Sequence, residues 1–197
     1  MDRERLLRQL AFALEIDKEK NVLRQTHLSE HGRHENDAEH AWHMTVMAYL
    51  LREYADEPID IARTMIMTAT HDLVEIYAGD TYAYDAEGQK TAHEREVAAA
   101  DKLFSLLPDD QAAEMRGIWE EFEANETPEA HFARAMDNVQ PMMLNDSNDG
   151  ADWKRRGVSR SGPASRNALT RMGSSELADY VDEILDKHVE RGNLRPA

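Results

Sequence analysis

The sequence predicts an all-α fold. Apolar residues recur every three or four positions along most of the chain, which is helical spacing, whereas the alternating pattern of half-buried strands is nearly absent. Pro58 and Pro108 interrupt the apolar segments and therefore separate neighbouring helices. A length of 197 residues suits one domain with a full core, and the chain shows no internal repeat. We therefore expect a single helical domain over residues 1–197.

The order of the helices follows from the apolar periodicity and its end signals. Asp37 is a good N-cap for the second helix, and Gly79 stands where the C-cap of the third belongs. Helices are expected at 3–16, 37–55, 60–78, 91–107, 109–124, 128–145 and 174–190. Polar segments are expected as loops at 17–36, 80–89 and 146–161. The core would occupy 5–147, and residues 148–197 would add a loop and a helix that packs on the core or on a dimer partner.

Charge and composition restrict the partners of this protein. The formal net charge of −16 argues against nucleic acid or an anionic membrane surface as the main partner, whereas a small anionic substrate remains compatible if cations line its site. The absence of cysteine excludes disulfides and thiolate zinc sites and suits a reducing cytoplasm. We find neither a signal peptide nor an apolar run of the ~20 residues that a membrane span needs. We expect a soluble, cytoplasmic protein.

The central helix carries three ionisable side chains in an otherwise apolar segment. His71, Asp72 and Glu75 share one sector of this helix with Thr68, and the opposite side is apolar. Placing a carboxylate in such surroundings is costly unless a nearby cation compensates its charge. A metal ion held by His71 and Asp72 would supply that compensation.

Side chains from two other helices could complete a metal site. His40 lies on the core-facing side of the second helix, and Asp137 shares a face with apolar residues one turn before Pro141. A lone His on an apolar face is more often a packed core residue. His40 is therefore a candidate metal ligand only in combination with the other ionisable residues. Together with His71 and Asp72, the two form a set of two imidazoles and two carboxylates, which suits one divalent metal ion. Co, Mn, Zn, Ni, Fe and Mg all remain open.

The order of these residues resembles the signature of the HD superfamily of metal-dependent phosphohydrolases, and looks most like that of its 5′-deoxynucleotidases. Four sequence segments carry the resemblance, namely Glu35-Asn36-Asp37-Ala38-Glu39-His40, His71-Asp72-Leu73-Val74-Glu75, Ala78-Gly79-Asp80 and Phe132-Ala133-Arg134-Ala135-Met136-Asp137. The resemblance implies a helical HD domain with the metal site between central helices. It also implies a homodimer and a nucleotide substrate. The implied metal ligands are His40, His71, Asp72 and Asp137.

The same resemblance assigns roles to residues around the metal. Glu75 would position or activate the attacking water, and Asp80 would assist near the leaving group. Arg24 matches the position that binds the substrate phosphate, and Arg33 is a second candidate because an Arg fork suits phosphate. The family usually has a Trp near this Arg, whereas this chain has Gln25-Thr26-His27. The preference for base and sugar therefore stays open.

Two other polar clusters receive a simpler interpretation. The histidines His27, His31 and His34 have no regular ligand spacing, so a solvated loop is favoured over a second metal site. A basic run near the C-terminus is expected as a solvated loop or as a contact with a second subunit. Its members are Lys154, Arg155, Arg156, Arg160 and Arg166.

The leading hypothesis is a metal-dependent 5′-nucleotidase acting on (deoxy)nucleoside 5′-monophosphates. One alternative keeps the metal and hydrolyses another phosphate ester, a diester or a pyrophosphate. An alternative of another class is a non-catalytic HD module that binds a nucleotide, although a pure binder has no need of Glu75 and Asp80. An HD-type iron oxygenase would need further His ligands, and we find none at matching positions.

Overall fold

The structure, a computed structural model, describes residues 2–83 and 85–196; residues 1 and 197, at the ends of the expected domain, and residue 84, in the expected loop 80–89, lie outside the described residues. The helices are α1 Arg3–Glu15, α2 Asp37–Leu51, α3 Ile61–Thr70, α4 Glu75–Ala78, α5 Ala86–Phe104, α6 Asp109–Ala124, α7 Pro128–Ser147, α8 Ala151–Arg156, α9 Ser161–Gly173 and α10 Ser175–Glu190. Strands β1 Leu23–His27 and β2 His34–Asn36 pair as a small antiparallel hairpin. The predicted all-α class is confirmed.

Helix α7 lies at the centre of the fold and contacts α2, α3, α6, α9 and α10. It begins cleanly because the Thr127 side chain accepts a hydrogen bond from the Ala130 amide and Pro128 occupies the first turn. Phe132 and Met136 are fully buried on its core face. A second cluster of buried apolar residues joins α1, the α4 region, α5 and α6. No helix of the described part of the chain is both long and apolar enough to cross a membrane.

The expected central helix is interrupted after Thr70. Residues 71–74 form turns, and the amides of Leu73 and Glu75 donate to carbonyls three positions back, those of Thr70 and Asp72. Bonding over three residues is tighter than the four-residue bonding of an α-helix. The expectation of one helix over 60–78 was therefore wrong, because the backbone tightens where the ionisable side chains begin.

All three segments expected as loops contain regular structure, and in 80–89 it is the first turn of α5, which begins at Ala86. The stretch 17–36 holds a 3₁₀ turn at Ile16–Asn21 and the β1–β2 hairpin. The stretch 146–161 holds α8, which is joined to the hairpin because Asp152 accepts hydrogen bonds from the amide and the Nδ1 of His27. These long-range contacts order segments that lack apolar periodicity of their own.

The C-terminal helix α10 packs on α7 and α9 of the same chain. The Ser174 side chain caps its start by accepting from the Leu177 amide. Val181 and Leu185 are buried in the main core, as the amphipathic pattern predicts. Tyr180, on the same helix, is 42% exposed.

Candidate metal centre

Four side chains from three elements converge on one point beside α7. His40 is contributed by α2, His71 and Asp72 by the turn after α3, and Asp137 by α7. Asp137 Oδ1 lies 3.3 Å from His40 Nε2 and 3.9 Å from His71 Nε2. Asp72 Oδ2 lies 3.0 Å from His71 Nε2 and 3.9 Å from His40 Nε2. The structure thus brings together all four residues that the sequence suggested as ligands.

These separations fit a shared metal ion. Donor atoms that each lie about 2.1 Å from one ion cannot be more than about 4.2 Å apart, and the four separations given satisfy this limit. Ligand atoms of His40, His71 and Asp72 all lie within 4.8 Å of one another, and Asp137 approaches this group at the two histidines. His71 Nε2 is buried and, among the described residues, has no hydrogen-bond partner of acceptable angle although Asp72 is close. A buried polar atom without a partner is costly. A bound cation would satisfy it.

The hydrogen bonds of Gln140 set the orientation of His40. The Gln140 amide nitrogen donates to Glu35 Oε1 at 2.7 Å, so its carbonyl oxygen faces His40 Nδ1 at 3.0 Å. Nδ1 must then carry the hydrogen, which leaves the lone pair of Nε2 directed towards the other donors. All three side chains are buried. Gln140 was not among the residues that the sequence suggested.

The charge state of the cluster is also suited to a cation. Burial lowers the pKa of His40 to about 4, so its imidazole is neutral near pH 7. Burial alone would raise the pKa values of Asp72 and Asp137, but the adjacent imidazoles, together with Arg24 for Asp72 and Arg166 for Asp137, lower both. Burial likewise opposes a charged His71, yet the two carboxylates raise its pKa. The two carboxylates are therefore ionised, and a bound cation would compensate their charge in place of the proton that they favour on His71.

A cavity of about 330 Å³ opens beside the cluster and is lined by Glu75 and Asp80. Burial, followed by the charges of Asp72 and Asp37, raises the pKa of Glu75 well above its ordinary value. One of its oxygens, Oε2, is buried without a hydrogen-bond partner among the described residues. Burial also raises the pKa of Asp80. Both carboxyl groups are therefore placed to hold or transfer protons inside the cavity.

The two arginines that were candidates for phosphate binding occupy different environments. Arg24 lines the cavity with 15% of its side chain exposed and donates to Asp72 Oδ2 at 2.8 Å. Arg33 is 60% exposed and binds both carboxylate oxygens of Glu39 outside the cavity. Its place just before β2, at the end of the hairpin turn, directs it to the start of α2. The structure does not bring Arg33 to the site.

Several cavity residues were not recognised from the sequence. Arg134 lies one turn before Asp137, and Arg166 reaches the cavity from α9. A further donor group consists of His93, Glu96 and Glu123, whose ligand atoms lie within 4.8 Å of one another. The helical spacing of Arg134 and Asp137 could have indicated a shared face. Nothing in the sequence indicated that α9 packs against α7.

The fold and the donor cluster define a helical domain with a buried His/Asp site of the metal-binding type. The HD domain family model matches residues 16–177, so this chain belongs to the HD domain family. The resemblance found in the sequence is confirmed at the level of the family.

Relatives of known name agree with this assignment. The chain is 31% identical over 109 residues to 5′-deoxynucleotidase HDDC2 of Xenopus laevis, covering 55% of this chain and 53% of the relative. It is 29% identical over 111 residues to the human 5′-deoxynucleotidase HDDC2, covering 56% and 53%. The chain thus spans about half the length of the curated relatives it matches.

Solved structures share the fold over nearly the full chain. A protein of Magnetospirillum magnetotacticum, described as a predicted metal-dependent phosphohydrolase, superposes with a TM-score of 0.93 at 47% identity and covers 98% of this chain and 96% of its own. An HD-domain phosphohydrolase of Listeria innocua superposes with a TM-score of 0.64 at 16% identity and covers 93% and 90%. The second similarity is one of fold alone.

Proposed function

We propose that this protein is a metal-dependent phosphomonoesterase that removes phosphate from (deoxy)nucleoside 5′-monophosphates. The observation that carries the proposal is the convergence of His40, His71, Asp72 and Asp137 beside a cavity that Glu75 also lines. The Oε2 atom of Glu75 is buried without a hydrogen-bond partner in the part of the chain that the structure describes. The names of the curated relatives support the substrate class. The 47% identical structural neighbour supports metal-dependent phosphate chemistry.

The four donor residues would hold one divalent ion. When bound, such an ion polarises phosphoryl oxygens and lowers the pKa of water. In its ionised form Glu75 would orient the attacking water and accept its proton, and its raised pKa makes that carboxylate a stronger base than an exposed one. Asp80, whose pKa burial also raises, would deliver a proton to the leaving nucleoside oxygen. Glu75 would thus take up a proton from the water, and Asp80 would give a proton to the leaving nucleoside.

Arg24 would neutralise part of the phosphate charge. Burial by itself disfavours a charged guanidinium, but the carboxylates of Asp72 and Asp37 raise the pKa of Arg24 and keep it cationic. A charged guanidinium donates two parallel hydrogen bonds to phosphate oxygens. At the position following Arg24 the chain has Gln25, which lines the cavity without an aromatic face for a base or sugar.

A substrate panel tests the proposal. The purified protein is assayed for phosphate release from deoxy- and ribonucleoside 5′-monophosphates, a phosphodiester and pyrophosphate, each with added Co²⁺, Mn²⁺, Mg²⁺, Ni²⁺, Fe²⁺ or Zn²⁺. We expect hydrolysis of the monoesters with at least one metal. Hydrolysis confined to the diester or to pyrophosphate would favour the alternative substrates. Nucleotide binding without turnover under every metal would favour a non-catalytic module.

The proposal also covers the domain organisation, the oligomeric state, and the cellular location and partners of the protein. We take residues 1–197 as one HD domain, supported by a main core that joins side chains from α2, α7, α8 and α10. A homodimer is expected, and light scattering of the purified protein would give its mass. A cytoplasmic location is expected from the cysteine-free composition, and nucleic acid and membranes are not expected as partners because of the net charge of −16.

A further inference from the structure

Arg166 lines the cavity, and hydrogen bonds and an ion pair hold its guanidinium in place. Its Nε donates to Asn138 Oδ1 at 3.0 Å, and its Nη2 lies 3.4 Å from Asp137 Oδ2. The side-chain amide of Asn138 returns a hydrogen bond to the backbone carbonyl of Arg166 at 3.3 Å. The guanidinium is thus held in one place, beside the outer oxygen of a proposed metal ligand.

The guanidinium keeps hydrogen-bonding capacity that the protein does not use. Among the described residues its Nη1 has no hydrogen-bond partner, and 32% of the side chain is exposed while it lines the cavity. Arg24 is more fully engaged, since three carboxylates surround it. Arg134 donates through Nη2 to the Phe122 carbonyl and to Glu123, its Nη1 lies 3.7 Å from Asp137 Oδ2, and its side chain is less exposed than that of Arg166.

The cavity needs further positive charge to hold an anionic ligand. Its walls carry seven carboxyl groups, of which at least Asp72 and Asp137 are ionised; the seven are Asp72, Glu75, Asp80, Glu96, Glu123, Asp137 and Asp152. A phosphate monoester carries up to two negative charges and would be repelled by these groups unless cations offset them. Arg24 and Arg166 both oppose the burial-driven rise in the pKa of Asp80, so both are within electrostatic reach of that carboxylate.

We propose that Arg166 is a second phosphate-binding residue, which contacts the substrate phosphate from α9 while Arg24 contacts it from β1. This inference rests on the proposed phosphomonoesterase function. A planar guanidinium held by Asn138 loses little further freedom on binding a phosphate oxygen through Nη1. Charge-assisted hydrogen bonds of this kind are among the stronger ones in proteins.

The test is the affinity of Co²⁺-saturated protein for inorganic phosphate, measured by titration calorimetry. We expect R166Q to bind phosphate about 10-fold to 100-fold more weakly than the unaltered protein, and R166K to recover part of the loss because it restores the charge without the fork. R171Q is the matched control on the same helix, since Arg171 pairs with Asp179 and Asp182 at the surface. Its phosphate affinity should stay within about twofold.

Cobalt content and nucleotide turnover are measured on the same samples to separate the possible outcomes. Unchanged phosphate affinity in R166Q, or no phosphate binding by the unaltered protein, would overturn the proposal. A loss of cobalt affinity alone, with normal phosphate binding at saturating cobalt, would also overturn it, because Arg166 would then act only through Asp137. Phosphate binding that depends on Arg166 in a protein without phosphomonoesterase activity would support the inference and contradict the proposed function.

Discussion

His40 Nε2 lies 3.3 Å from Asp137 Oδ1, although 97 positions of sequence separate the two residues. The contact joins the first turn of α2 to the middle of α7 inside the protein. Because both residues are buried and one is a carboxylate, their approach needs compensation by hydrogen bonds or by a cation. This pair, together with His71 and Asp72, is the basis of the proposed metal centre.

Replacing Asp137 with Asn should remove the metal. The amide has nearly the same shape, so the fold is expected to survive, but the donor set loses a negative charge. Metal affinity should fall by at least ~100-fold. Removing a residue that only hydrogen-bonds to a ligand already costs up to ~100-fold, and losing a ligand should cost no less. Metal analysis after dialysis measures this. D146N, the same change nine positions later on α7, should retain the metal; equal metal content in both variants would contradict the assignment.

Replacing Gln140 with Met should weaken metal binding without removing a ligand. The change leaves His40 Nδ1 without its acceptor, so the tautomer that presents Nε2 to the metal is no longer selected. We expect metal affinity to fall by ~10–100-fold. Competition with a chelator of known affinity provides the measurement. Wild-type affinity in Q140M would show that the hydrogen bond has no role in orienting His40.

Replacing Glu75 with Gln should spare the metal and slow the reaction. The amide cannot accept the proton of the attacking water, and loss of a general base typically costs ~10²–10⁴-fold in rate. The comparison is kcat on the best nucleotide of the substrate panel, with metal content measured in parallel. E94Q changes an exposed Glu on α5 and should leave kcat unaltered. Full activity in E75Q would refute the assigned role.

Asp146 should make the stability of the protein depend on acidic pH. Burial favours its neutral form, but Lys187 and His188 outweigh burial and lower the pKa of Asp146 below its ordinary value. A lowered folded-state pKa stabilises the fold above the unfolded pKa of ~3.9, and this stabilisation is lost as the pH falls through the folded-state value. D146N should reduce the free energy of unfolding by about 1–2 kcal/mol at pH 7.

Urea unfolding of D146N and of the unaltered protein, at several pH values between 7 and 3, measures this dependence. The difference between the two proteins should shrink below pH 4. D179N, which removes an exposed ion pair with Arg171, should change the free energy of unfolding by less than ~0.5 kcal/mol. A difference for D146N that is constant across the pH range would exclude the ionic contribution.

Two glycines should respond to alanine in opposite directions. At Gly173, at the end of α9, an added Cβ would clash with the backbone oxygen of His131, so α9 and α7 would have to separate. We expect G173A to lose ~1–3 kcal/mol of stability. At Gly117, inside α6, a Cβ would meet nothing within 4 Å, and G117A should gain up to ~1 kcal/mol from helix propensity. Thermal unfolding of both variants compares them directly; two changes of the same sign would refute the packing argument.

Much of the helical framework was predictable because it depends on local signals. Helix α2 begins at Asp37 with Asn36 as its cap, one residue before the N-cap expected there. Gly79 ends α4 with a φ of 77°, a conformation that favours glycine. Such signals act between residues a few positions apart, so the sequence displays them directly.

The parts that could not be predicted depend on which surfaces meet. The turn after Thr70 replaces a regular helix, although its residues have ordinary helical spacing. Asp152 orders α8 through a contact with His27 that is 125 positions away in the chain. Arg33, a phosphate-binding candidate in the sequence, pairs with Glu39 outside the cavity. Arg166, which was expected in a solvated loop or at a subunit contact, lines the cavity instead. Apolar periodicity shows which face of a helix is buried, but it does not show which other element packs against that face.

The sequence by itself determined the helical class and the family and suggested the four candidate donor residues, because residue types and their order carry that information without coordinates. The tertiary structure alone decided that these donors approach within 3.0–3.9 Å, that Gln140 orients His40 and that Arg166 borders the cavity. The physical reason is that these contacts form between segments distant in sequence. Their geometry is set by how α7 packs against α2, α3 and α9, and no local preference records that packing.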